Sequence, residues 1–182
     1  SRKGVGQSGW FLAVIFPCDQ IQILAYNRVV KDFNGRDTAQ FLSELEGVFE
    51  ITEDHNGECT AKNEIGLYLG DQWRGLLFKA DKRKSKAPVD GLDVALLQHH
   101  VLGPLLGVND PRTSDRISYI GGVHGVTELE RLVDSGDYAC AFSLFPTRIE
   151  DLMEIADANG LMPPKSTWFE PKLRDGMFCH MI

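Results

Sequence analysis

The stretch GLMPPKSTWFEPKLRDGMF, residues 160–178, gathers prolines, cations, hydroxyls and aromatic rings near one end of the chain. Pro163, Pro164 and Pro171 fix φ and stiffen the backbone. A lysine beside two hydroxyls on such a backbone suits an anion, offering one point charge, two O–H donors and free backbone amides. Lys165, Ser166, Thr167, Lys172 and Arg174 are therefore the expected lining of a phosphate or carboxylate pocket. The glycines of a G-x-x-x-x-G-K-[ST] loop are missing, so this is not a P-loop. The same residues also read as a structural clasp, with Trp168 and Phe169 buried and Lys165 solvated.

Three further segments carry candidate groups. YNRVVKD, residues 26–32, offers Asn27 and the planar fork of Arg28 to a phosphate or carboxylate, or else an Arg28–Asp32 pair at a strand end. NDPRTSDR, residues 109–116, has two arginines and two aspartates in a turn-rich loop. Asp110 from this loop, or Glu170, is the expected carboxylate for orienting a nucleophilic hydroxyl. IGGVHG, residues 120–125, is a glycine-rich link from strand to helix that could let a phosphate approach a helix N-terminus. No spacing resembles a zinc site, and no metal ligand set is expected. His99 and His100, adjacent on a helix, are expected to point to different faces.

Composition narrows the partners. The formal charge of −7 over 182 residues disfavours non-specific nucleic-acid or membrane-surface binding, which needs a basic surface. Lys79, Lys82, Arg83, Lys84 and Lys86 cluster in KADKRKSKAPVDG, but no aromatic residues are interleaved, so a solvated loop is expected there. No apolar run approaches the roughly 18 residues of a membrane span. The four cysteines show no CxxC spacing and read as free thiols of a reducing cytoplasm. No signal peptide is evident. The chain starts without Met, at SRKGVGQSGWF, which reads as added residues or the cut end of a longer protein.

The elements that must position these groups follow from periodicity. WFLAVIFP (residues 10–17) and QIQILAYN (20–27) are expected to pair as a hairpin. Asp37 caps a helix ending near Gly47. VFEITED, EIGLYLGDQ and WRGLLFKA read as strands, the last two joined by a tight turn at residues 70–72. LDVALLQHHVLGPLLGV is a helix that Pro104 should kink or end. Strand RISYIGG, helix TELERLVDSG, strand YACAFSLFP, helix TRIEDLMEIADANG and strand MFCHMI complete the pattern. Capping boxes are expected at Thr127/Glu130 and Thr147/Glu150, with Gly136 as a C-cap. The fold class is α+β with mixed sheet: an antiparallel meander first, strand–helix–strand–helix–strand second. Residues 1–182 read as one region with a seam near 85–92, and both halves can share one sheet.

FPCDQIQILAYNRVVKDFNG, LDVALLQHHVLGPLLGVNDPRTSDRISYIGG, LERLVDSGDYACAFSLFPT and MPPKSTWFEPKLRDGMF together resemble the bacterial DUF1015 family of unknown function. Members of that family carry an Asp-Gly-His-His-Arg motif in an N-terminal part that has no counterpart here, so the chain resembles their C-terminal portion. That motif is similar to one in ParB-like and sulfiredoxin-like nucleotide-binding proteins, some of which phosphorylate small metabolites such as free serine. The resemblance thus implies part of a cytoplasmic small-molecule phosphotransferase, with nucleotide or pyrophosphate as donor and the N-terminal region of the same protein as partner. The alternative is a non-catalytic binding or dimerisation domain, and a homo-oligomer is one partner state the sequence leaves open. Neither membrane nor nucleic acid is an expected partner.

Overall fold

The computed structural model describes residues 9–174 and Gly176, and MFCHMI with Cys179 lies outside them. Two compact units result: residues 23–168 form one, and residues 1–22 with 169–182 the other. In chain order the elements are β1 (Gln22–Leu24), β2 (Tyr26–Val30), α1 (Thr38–Leu45), β3 (Phe49–Thr52), β4 (Glu64–Tyr68), β5 (Trp73–Phe78), α2 (Asp93–Leu97), β6 (Ile117–Gly121), α3 (Gly125–Asp134), β7 (Cys140–Leu144), α4 (Ile149–Asp157) and β8 (Trp168–Glu170). The class is α+β, as expected.

A six-stranded sheet, ordered β3-β5-β4-β7-β2-β6, organises the larger unit; β1 and β8 form a two-stranded sheet. Every pairing in the six-stranded sheet is antiparallel. It draws strands from both sides of residues 85–92, because β2 sits between β6 and β7 and β4 pairs with β7. Alternation along the strands sends side chains to two faces. One face carries Val30, Ile65, Leu76, Phe78 and Phe142 into the main core, joined by Phe41, Leu97 and Ile155 from the helices. Val29, Tyr68, Trp73 and Ala141 pack with Leu129 of α3 in a second cluster.

Local signals account for several elements. The Asp37 carboxylate accepts from the Gln40 N–H (2.8 Å), and the Gln40 side chain accepts from the Asp37 N–H (3.1 Å), a reciprocal box that starts α1. The β4–β5 turn has positive φ at Gly70 and Asp71, as a two-residue hairpin turn requires. After α2 the chain continues as one π turn, Gln98–Leu102. The Gly103 N–H donates to Gln98 O, five residues back (3.0 Å), and Pro104, which has no N–H, ends the regular ladder.

Three expectations are corrected. Residues 10–17 form no strand, and Trp10 and Ile15 are 74% and 91% exposed. A strand needs a neighbour for its backbone groups, and apolar composition alone supplies none. Neither capping box forms. α3 starts at Gly125, leaving Thr127 inside the helix, and the Glu130 carboxylate accepts from the Trp73 indole N–H (2.7 Å). At α4 the Asp151 carboxylate, not Glu150, accepts from the Arg148 N–H (3.2 Å), while Thr147 Oγ1 donates to Ser166 O (3.0 Å). Gly136, with φ +82°, does occupy the left-handed position after α3.

A buried carboxylate pair yields a pH prediction. Asp93 Oδ1 accepts from the Asn63 N–H (2.9 Å), and Asp151 Oδ1 pairs with Lys62 (2.8 Å). Burial pushes Asp93 up to about 6, with Asp151 adding to the rise. Hydrogen bonds from Lys62 and Arg148 outweigh burial at Asp151 and hold it below the usual range. Asp93 therefore binds more protons folded than unfolded. Its stabilising contribution is complete below about pH 4 and lost as pH rises through about 6. Asp151 acts oppositely, losing its contribution as pH falls. Asp93→Asn keeps the acceptor for Asn63 and removes the ionisation. It should raise the unfolding free energy at pH 8 by about 2 kcal/mol and change it little at pH 4. Denaturant titrations at the two pH values check this, and a loss at pH 8 contradicts it.

Candidate functional site

β2 and β6 pair with Tyr26 opposite Gly121 and Arg28 opposite Tyr119. This register puts Tyr26, Arg28 and Tyr119 on one face at the end of the sheet. The segment at residues 163–168 packs onto that end. The indole of Trp168 meets the Tyr26 ring edge-on at 5.2 Å. It lies so close over Gly121 that a Cβ there would fall within 2.5 Å of its Cδ2 and Cζ3 atoms. Ser166 is buried; its hydroxyl donates to Pro163 O (2.6 Å), and its carbonyl takes the Thr147 hydroxyl.

Arg28 is the internal fastener. It is 3% exposed, and burial pushes its guanidinium down to about 10. The guanidinium lies 5.5 Å from the centroid of the Tyr119 ring and donates to Tyr26 O and, at 2.9 Å, to Lys165 O. The bond to Lys165 O fastens that residue at φ +57°, a left-handed conformation that costs a non-glycine residue about 1–2 kcal/mol. With the backbone so held, Lys165 Nζ donates to the Tyr26 hydroxyl (3.3 Å) and sits 5.3 Å from the centroid of that ring.

In front of these residues opens a cleft of about 480 Å³. Lys165, Pro164, Tyr26 and Tyr119 line one part, and Arg112 and Ser114 of the 109–116 loop another. Two cations thus share a cleft with hydroxyl donors, an arrangement that neutralises and orients a small anion. The structure brings together the YNR, NDPRTSDR and PPKST segments within residues 23–168.

The individual candidates take different places. Arg28 lies beneath the cleft. Asn27 is buried, and its Oδ1 accepts from the Leu144 N–H (3.1 Å), which joins β2 to β7. Asp110 is adjacent to the cleft, in a turn where it accepts from Arg112 Nε and Nη2 (3.0 Å each); Arg112 holds its carboxyl below the usual range. Asp32 pairs with Arg116, not Arg28. Ser166 is spent on the turn, and Thr167 follows it, half-buried. Glu170, Lys172 and Arg174 belong to the other compact unit. Arg112 and Ser114 are reached in the sequence only as members of the 109–116 segment, and Tyr119 is missed; its signal is the register that puts it across from Arg28.

Elsewhere, Gly122 and Gly125 of the IGGVHG link border a depression of about 260 Å³ with Cys59 and Ser143. Burial pushes the Cys59 thiol up to about 12, so it is not a nucleophile at neutral pH. Cys59 and Cys140 are free thiols. His99 and His100 are neighbours in the π turn and both border one cleft, with ring centroids 4.8 Å apart. Among the described residues no group of three or more His, Cys, Asp or Glu is placed to hold a metal, and no helix is long and apolar enough to cross a membrane.

No curated protein matches the chain in sequence. Among solved structures it is similar to a free serine kinase in complex with AMP and to a mutant of that kinase, also with AMP. Each superposes with a TM-score of 0.50 at 15% identity and covers 84% of this chain. The chain spans 55% of the length of those kinase chains, and at this identity the likeness speaks to the fold alone. In sequence, residues 2–95, just over half of the chain, match the family described as "Protein of unknown function (DUF1015)", and the chain belongs to that family.

Proposed function

We propose that this chain forms part of a small-molecule phosphotransferase and that the Lys165–Arg112 cleft holds the phosphate or carboxylate of its substrate. The observation that carries the reading is the clamp on Lys165: a buried arginine holds that backbone in a strained conformation, which aims the ammonium over Tyr26 at the cleft. Phosphoryl transfer asks little covalent chemistry of a protein and much charge neutralisation and positioning. The kinase of similar fold was solved with AMP, which supports a nucleotide as phosphate donor; pyrophosphate is the alternative donor. Asp110, held ionised by Arg112, is suited to orienting a substrate hydroxyl as an acceptor and is a weak base. Glu170, Lys172 and Arg174 remain proposed for the same chemistry within their own unit.

The test is phosphoryl transfer from ATP, ADP or pyrophosphate to serine by the complete polypeptide. Lys165→Ala should lower kcat/KM by about tenfold or more, as expected for loss of a charged hydrogen bond. Unchanged turnover would remove Lys165 from the mechanism. A second reading, a non-catalytic binding domain, is favoured by the fit of Trp168 over Gly121, because a clasp would need that fit without any ligand.

A further inference from the structure

We propose that the cleft between the lysine-rich loop (residues 79–87) and the π turn is a second anion site. It would take a small phosphorylated polyanion such as pyrophosphate or the phosphate end of a nucleoside diphosphate. The cleft encloses about 620 Å³, more than the Lys165 cleft. Lys82, Lys84 and Lys86 border it from the loop, and His99 and His100 from the helical side.

The two histidines are neighbours in the π turn Gln98–Leu102 and reach the cleft together. Such π segments are rarer than α turns and recur at functional sites. The site is tied across its two walls, since His100 Nε2 lies 3.2 Å from Lys82 O. If Nε2 carries the proton for that contact, Nδ1 is left without it. Lys82 pairs with Asp81 (3.1 Å). Lys84 and Lys86 have no hydrogen-bond or ion-pair partner among the described residues, so their charges are available. With Asp81 and Asp90 included, the lining carries +1 when both histidines are neutral and +3 when both are protonated. That suits a ligand with several negative charges in a small volume.

Size and surroundings select the class of ligand. The cleft offers no Phe, Tyr or Trp face for a base to stack on. A long polyanion would run onto the surface of a chain whose net charge is −7. A compact polyphosphate meets the lysines without meeting that surface.

Titration of the protein with inorganic pyrophosphate, followed through the histidine ring resonances by NMR, tests this. The His99 and His100 signals should shift and saturate. The double variant Lys84→Ala/Lys86→Ala, both exposed loop positions, should bind about tenfold more weakly. Asp90→Asn should bind more tightly, and Lys165→Ala should leave these shifts unchanged. The proposal is overturned if neither histidine responds, or if the response survives in the double variant. It is also overturned if a single-stranded oligodeoxynucleotide displaces pyrophosphate at lower concentration, which would make the loop a nucleic-acid surface.

Discussion

Gly121→Ala should destabilise the protein by about 2 kcal/mol, and it should do so through Trp168 alone. The added methyl would enter the space of the indole. Overpacking of this kind costs about 1–3 kcal/mol when the neighbour cannot move aside. Trp168 cannot move freely, since Tyr26 flanks it at 5.2 Å and His124 at 6.4 Å. Trp168→Ala on its own should cost about 3 kcal/mol, the low end for a large aromatic, because the ring is only half-buried. In the Trp168→Ala background, Gly121→Ala should become nearly neutral, leaving a coupling energy close to the whole cost of the single change. Denaturant unfolding of the four proteins gives that coupling directly. Additive costs would mean that the segment at 163–168 does not rest on β6.

Arg28→Met should separate stability from binding. Moving the guanidinium from 12.5 to about 10 corresponds to about 3 kcal/mol of burial cost. Removing the charge relieves that cost, while Tyr26 O and Lys165 O lose their donor at about 1–3 kcal/mol each. The opposing terms are of similar size, so the net change in stability should stay within about 3 kcal/mol. Lys165 loses the bond that holds its backbone at φ +57°, and the cleft's affinity for a small anion should fall by about tenfold or more. Affinity unchanged in a folded Arg28→Met protein would show that Lys165 needs no such clamp.

Features decided by neighbouring residues were legible in the sequence. Asp37 and Gln40 satisfy each other across three positions, and α1 starts where they do. Gly70 and Asp71 supply the positive φ of a two-residue turn, and the hairpin β4–β5 follows. Features decided by distant residues were not. Thr127/Glu130 and Thr147/Glu150 have the spacing of capping boxes, but Glu130 and Thr147 find partners in Trp73 and Ser166, and tertiary hydrogen bonds outrank the local option. Trp10–Pro17 has strand composition and no strand partner among the described residues. The same division holds at the cleft. The chemistry of Lys165 and Arg28 could be read from residue type. That Arg28 lies beneath and fastens Lys165, and that Arg112 and Tyr119 join it, depends on the register of β2 against β6 and on a contact across 137 residues.

The most direct test of the central claim is calorimetric titration of the protein with O-phosphoserine, which presents a phosphate and a carboxylate on one small molecule. The account predicts saturable binding that weakens about tenfold or more in Lys165→Ala and in Arg112→Ala, and persists in Lys84→Ala/Lys86→Ala. Binding that is absent, or that ignores Lys165 and Arg112, would contradict it and leave residues 163–168 as a clasp.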